Sequence, residues 1–318
     1  MCTYPPRPPA SPPQHPAPRN RTLPVSRKAV FTHRTPAKVI IFAIMIQEMP
    51  FWKWALLLIA GLFLSVLLYG AASMVDFIHV WWIHAAVTIV IAAAMLWLYA
   101  AMLWLYAIVA KGFEGRFPQD LPIGKLAPHT GLGLAFGLGY FIVVTGIMAL
   151  TGCYKVKSWG GEWIAVGHAF MMFLIVAIGE EIIFRGVLFR WVDEKWGFPA
   201  AMVSSAILFG LVHISNPGGT LWSSIAIAIE AGLLLGAAYK WSGTLWLPIG
   251  IHWAWNFAQG NIFGFAVSGN QAGDSIIVSQ VDGPAWLTGG AFGAEASVIA
   301  VVVGALASAW FIWRIVRK

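Results

Sequence analysis

Long apolar runs, separated by short polar or Gly/Pro-rich breaks, dominate this chain. Crossing the hydrocarbon of a bilayer takes about 20 predominantly apolar residues in a helix. Eight runs qualify, near 51–72, 78–110, 131–151, 166–192, 199–215, 221–239, 243–264 and 291–313. The breaks read "KGFEGRFPQDLPIGK", "GCYKVKSWGGE", "DEKWGFP", "SNPGGT", "KWSG" and "SGNQAGDS". The pattern predicts an all-α polytopic membrane protein with about eight transmembrane helices. The second run is over-long because "AMLWLYA" occurs at 94–100 and again at 101–107. Seven residues are nearly two helical turns, so the copied face keeps its direction. A local duplication that lengthens one helix by about 10 Å accounts for it; a heptad seam would need three or four repeats.

Composition agrees. The chain is 59% hydrophobic and 10% charged, against roughly 25% charge in soluble domains. Its net charge of +7 would suit nucleic acid, but the distribution of the basic residues points elsewhere. Lys and Arg gather before and just into the first run (Arg7, Arg19, Arg21, Arg27, Lys28, Arg34, Lys38, Lys53) and after the second (Lys111, Arg116, Lys125). They also follow the fourth (Arg190, Lys195), the sixth (Lys240) and the eighth (Arg314, Arg317, Lys318). The alternate breaks hold only Lys155 and Lys157, beside Asp76, Glu162, Asp274 and Asp282. Basic loops stay in the cytoplasm, so both termini are expected there. The charge is a topology signal, with the lipid bilayer rather than nucleic acid as partner.

Residues 1–44 begin with a Pro-rich basic stretch that cannot pack a core. They read either as a disordered cytoplasmic tail or as an over-long start, with Met45 as the natural beginning. Beyond them, 45–160 is an N-terminal half of three spans and 161–318 a core of five. Cys2 and Cys153 have neither disulfide nor metal-ligand spacing, and Cys153 is expected at the membrane face away from the polar cluster.

That cluster is the candidate chemistry. "GEEIIFRG" at 179–186 puts Glu180, Glu181 and Arg185 inside an apolar run. Residues four apart share a helix face, so Arg185 should neutralise Glu181 as a structural ion pair. Glu180 points about 100° away and is left available. "FGLVH" sets His213 one turn after Phe209, and "HWAWN" sets Asn256 one turn after His252. Polar groups facing lipid are costly, so three such faces on three spans imply one shared interior site. Each histidine alone could equally be a satisfied core residue. Glu230, in the middle of the sixth run, reads as a protonated or His-paired packing residue.

"EEIIFR", "FGLVH" and "HWAWN", in this order, resemble the three motifs of the CAAX protease and bacteriocin-processing family, also called type II CAAX prenyl endopeptidases or abortive-infection-like membrane proteases. "WLTGGAFGAEAS" before the last run is also family-like. The resemblance covers roughly 160–313. It implies an intramembrane endopeptidase, in a bacterial inner membrane, that hydrolyses a peptide or protein substrate without a covalent intermediate. Glu180 would activate water, His213 would hold and orient that water, and His252 and Asn256 would donate hydrogen bonds to the oxyanion. Low-dielectric surroundings make a carboxylate a stronger base, which suits those roles. The resemblance implies no cofactor and no metal.

Three other readings use the same residues. Glu and two His are legal zinc ligands, although the His-Glu-x-x-His spacing is absent. A non-catalytic protein of the same fold could serve bacteriocin immunity or scaffolding. A proton-coupled transporter also buries Glu and His, but would carry repeated spans with broken helices.

Overall fold

The computed structural model describes residues 81–115, 117–271 and 273–317. The Pro-rich segment, the Met45 boundary, the run near 51–72, the first residues of the second run and Arg116 lie outside them, as does Lys318.

Helix α1 (Trp81–Glu114) carries both copies of the duplicated heptad without interruption. Helix α2 (Leu126–Leu150) follows after a short turn and starts five residues before the run suggests. Helix α3 (Trp163–Glu181) passes directly into a π-helix (Ile182–Phe189) and on into α4 (Arg190–Trp196), one continuous rod. Gly197, at φ 83°, ends it and opens α5 (Phe198–Val212). Helix α6 (Leu221–Ile227) continues through a second π-helix (Ala228–Leu233) into α7 (Leu234–Ser242). Helix α8 (Trp246–Phe257) ends in a third π-helix (Ala258–Ile262). After the short α9 (Ala285–Thr288), helix α10 (Val298–Val316) closes the described chain.

Among the described residues, five helical segments are long and apolar enough to cross a membrane: Ile89–Gly112, Ile123–Leu150, Phe198–Ser215, Leu221–Ser242 and Val298–Val316. The rod from α3 to α4 and the shorter α8 are the helices that carry Glu180, Glu181, Arg185, His252 and Asn256.

Two expectations need correction. All-α is too narrow, because the break after α2 forms strand β1 (Tyr154–Trp159), paired antiparallel with β2 (Ile277–Val281). Their first positions, Tyr154 and Ile277, are 123 residues apart, which hides this pairing from local sequence patterns. The last run, expected from 291, becomes helical only at Val298. Gly289, Gly290 and Gly293 take positive φ, which breaks the apolar stretch into short turns. The Ser297 hydroxyl then caps α10 by accepting from the Ala300 amide.

Helix α8 is held by α2 at very short range. A Cβ at Gly133 would lie 2.5 Å from the Leu247 carbonyl oxygen, one at Gly137 2.4 Å from that of Ile251, and one at Gly250 2.5 Å from that of Thr130. Small residues spaced four apart let membrane helices approach this closely. One turn on, Tyr140 stacks on Trp255 with ring centroids 4.1 Å apart, and Phe141 meets the same indole edge-on at 5.1 Å. This crossing fixes the rotation of α8, and hence the direction of His252 and Asn256. Gly137→Val should force the helices apart, since overpacking costs about 1–3 kcal/mol or more. Thermal unfolding in detergent should show a clear drop in midpoint. Gly139→Val, where a Cβ meets nothing within 4 Å, should leave it nearly unchanged.

Candidate active site

The charged centre begins with the four-residue spacing of Glu181 and Arg185. Arg185 Nη1 donates to Glu181 Oε1 at 2.8 Å, and both side chains are fully buried. Arg185 Nη2 reaches the carbonyl oxygens of Gly232 at 3.2 Å and Ala231 at 3.4 Å, in the π-helical stretch between α6 and α7. The guanidinium also lies 4.5 Å from the centre of the Phe209 ring. A single cation thus ties together three helical rods.

His252 joins this group. Its Nδ1 lies 2.9 Å from Glu181 Oε1, the oxygen that also accepts from Arg185. That oxygen is an acceptor for Arg185, so His252 Nδ1 carries the hydrogen. On the other side of the ring, Nε2 stands 4.0 Å from Glu180 Oε2. This Glu180 oxygen is buried and has no hydrogen-bond partner among the described residues. Glu181 is therefore both the partner of Arg185 and the orienting group of His252.

His213 sits at the very end of α5, in a 3-10 turn (His213–Ser215), rather than within the helix. Its Nδ1 lies 2.7 Å from the Phe209 carbonyl oxygen. A carbonyl can only accept, so Nδ1 bears the hydrogen and the neutral ring keeps an acceptor lone pair on Nε2. The Phe209 ring packs against both histidines, at 4.9 Å from His213 and 6.0 Å from His252.

A cavity of about 520 Å³ brings together Glu180, His213, His252 and Asn256. Phe173, Val176, Leu235 and Trp255 are among its apolar walls. Glu181 and Arg185 do not line it; they lie behind His252. Among the described residues no three His, Cys, Asp or Glu side chains gather in a metal-holding cluster. Cys153 does not line the cavity either. It is buried beside Gly283, where β1 begins, at the same end of the bundle as the cavity's loop residues. Its expected place at the opposite face is thereby corrected: β1 pairs with β2, so the break after α2 shares an end with the loop from α8 to α10.

Glu230 has no histidine partner among the described residues. Tyr140 donates to the Ala300 carbonyl at 2.6 Å, and its hydroxyl oxygen lies 3.0 Å from Glu230 Oε2. With the one phenolic hydrogen spent on a carbonyl, the second contact requires a proton on Glu230.

The cavity also contains a residue for which the sequence reading assigned no role. Glu295, 1% exposed, lines it and accepts a hydrogen bond from the Ser268 amide. Ser268 has φ 47°, the one positive value at a non-glycine position among the described residues. Its turn is closed by reciprocal amide bonds between Val267 and Asn270, at 2.8 and 2.9 Å. Glu295 thus clamps a strained turn against the cavity. An acid inside the otherwise apolar "GGAFGAEAS" was the available signal.

Burial pushes the Glu295 carboxyl up from 4.5 to about 6, while the Ser268 bond and the His213 ring act in the opposite direction. The folded protein therefore binds this proton more tightly than the unfolded chain. Stability from this group is fully present below about 4.5 and is lost as pH rises through about 6. The difference is about 2 kcal/mol. Glu295→Gln keeps the acceptor and removes the titration. Its melting midpoint should match wild type at pH 4.5 and exceed it at pH 8.

Residues 162–258 match the family model described as type II CAAX prenyl endopeptidase Rce1-like. The matched segment contains Glu180, Glu181, Arg185, His213, His252 and Asn256, and stops before Glu295. No curated protein and no solved structure matches the chain significantly.

Proposed function

On the premise that residues 162–258 are an Rce1-like CAAX endopeptidase domain, we propose that the protein is an intramembrane endopeptidase that uses a glutamate-activated water. The carrying observation is the meeting of Glu180, His213, His252 and Asn256 in one cavity, from three separate helical rods. The α3–α4 rod and α8 are read as spans alongside the five apolar helices. With the run near 51–72 they make eight, with both termini cytoplasmic, in a bacterial plasma membrane.

In this reading a water sits between Glu180 and His213 Nε2. Glu180 takes a proton from it as the water oxygen attacks the peptide carbonyl carbon, and the carbonyl π electrons move to oxygen. Asn256 Nδ2 and His252 Nε2 donate to that oxyanion. His252 can do so only as an imidazolium, because Nδ1 already donates to Glu181. The proton on Glu180 then passes to the leaving nitrogen as the C–N bond breaks, giving a carboxylic acid and an amine. Preorganised oxyanion donors are each worth about 3–4 kcal/mol.

A metal-free site is supported by the company His252 keeps. The fixed positive charge of Arg185, on the oxygen that orients His252, opposes a divalent cation at the other ring nitrogen. The experiment is peptidomics of membranes carrying wild type or Glu180→Gln, followed by cleavage of the recovered peptide by purified protein. Activity should survive chelation and dialysis. Loss on chelation with recovery on adding zinc would replace the water-only mechanism with a metal one. Identical peptide profiles would leave the non-catalytic reading.

A further inference from the structure

The cavity has a closed end and an open end, and the two ends of the bundle differ in charge. Its inner limit is Glu180 and His252, with the fully buried Glu181 and Arg185 behind them. At the other limit are Ser268, Asn270 and Gln271, with Asn216 opposite them; Asn270 and Gln271 are exposed. These four sit in the loops that follow α5 and α8. The β1–β2 pair stands at this same end, since it joins the loop after α2 to the loop between α8 and α10.

The charges run the other way. At the end away from the mouth lie Lys111 and Lys125 between α1 and α2, and Arg190 and Lys195 on α4. Lys240 near the end of α7 and Arg314 and Arg317 at the end of α10 complete this set. The mouth end holds Lys155 and Lys157 in β1, beside Glu162, Asp274 and Asp282. Orientation follows the Lys/Arg excess of short loops, which stays in the cytoplasm. Every loop that contributes a polar residue to the mouth belongs to the poorly basic end.

From this we infer that the catalytic cavity opens on the non-cytoplasmic face, and that its substrate is a polypeptide segment presented there: an exported peptide, or the outer flank of a membrane protein. The inference rests on the endopeptidase reading for the word substrate, and on loop charge and cavity shape for the direction. The chemistry of the mouth suits such a chain. Asn216, Asn270 and Gln271 offer neutral amide donors and acceptors to a peptide backbone, and apolar walls below them receive side chains. A cytosolic carboxy-terminal tail would have to enter past the buried Glu181–Arg185 pair, so it is not the substrate class of this cavity.

The test is cysteine accessibility in sealed right-side-out membrane vesicles containing the full chain. In a Cys2→Ser, Cys153→Ala background, Asn270→Cys and Gln271→Cys report the mouth and Glu194→Cys reports the opposite end. A membrane-impermeant maleimide should label the two mouth positions without detergent, and Glu194→Cys only after detergent. Full labelling of every variant in detergent, at equal abundance, establishes that each cysteine is present and reachable. The reverse pattern, labelling of both ends in sealed vesicles, or protection of both mouth positions would each overturn the inference. The labelling needs no enzymatic turnover. A wrong face with cleavage intact removes only the direction of entry. The stated pattern without Glu180-dependent cleavage removes only the endopeptidase reading.

Discussion

Replacing Arg185 with alanine is expected to cost most of the folded protein. The guanidinium is the permanent positive charge against Glu181, and both groups are completely buried. Removing one member of a buried pair leaves the other unpaired, at about 3–5 kcal/mol. Here the loss is compounded. The Gly232 and Ala231 carbonyls lose their donor, and the Phe209 ring loses the cation stacked on it. Glu181 would retain only His252, whose orientation it controls. Abundance and thermal midpoint of Arg185→Ala should both fall sharply. Glu181→Gln with Arg185→Met removes both charges together and should recover part of the stability, since an apolar replacement of a buried pair is often tolerated. It should not recover turnover, because His252 then lacks the carboxylate that orients its ring. A wild-type midpoint for Arg185→Ala would show that the two charges are not energetically coupled.

The residues behind this prediction were unequally legible in the sequence. The helices were readable because apolar runs of sufficient length have few alternatives in lipid. Arg185 over Glu181 follows from helical spacing alone. The bond from His252 to the same Glu181 oxygen spans 71 residues and depends on how α8 rotates against α2, which the close approach at Gly133, Gly137 and Gly250 sets. No local pattern encodes that rotation. The π-helical stretches were also hidden: each carries one glycine (Gly186, Gly232, Gly260), but Gly133 and Gly137 sit inside ordinary α-helix, so glycine does not mark the wider turns. The β1–β2 pair joins two segments that read as loops, because strands of five or six residues carry little periodic signal beside 20-residue helices. Glu295 was visible as an acid in an apolar stretch. Its partner, the Ser268 amide, belongs to the backbone and leaves no trace in residue identity.

The other large effect is expected at Glu180. Its Oε2 is buried without a hydrogen-bond partner among the described residues and stands 4.0 Å from His252 Nε2. Unlike Glu181, it makes no ion pair with Arg185, so its removal should cost little stability. Glu180→Gln preserves shape and removes the base. General-base catalysis contributes about 10²–10⁴-fold, and the proton for the leaving nitrogen is lost with it, so cleavage should fall by at least that factor. His252→Ala and Asn256→Ala should each lower turnover through the oxyanion, by about 10²–10³-fold. The decisive measurement is the single-turnover rate of peptide cleavage by purified Glu180→Gln, normalised to folded protein and compared with wild type. The account predicts an unchanged melting midpoint with cleavage reduced by at least two orders of magnitude. Cleavage within a few fold of wild type at equal folded amount would contradict it.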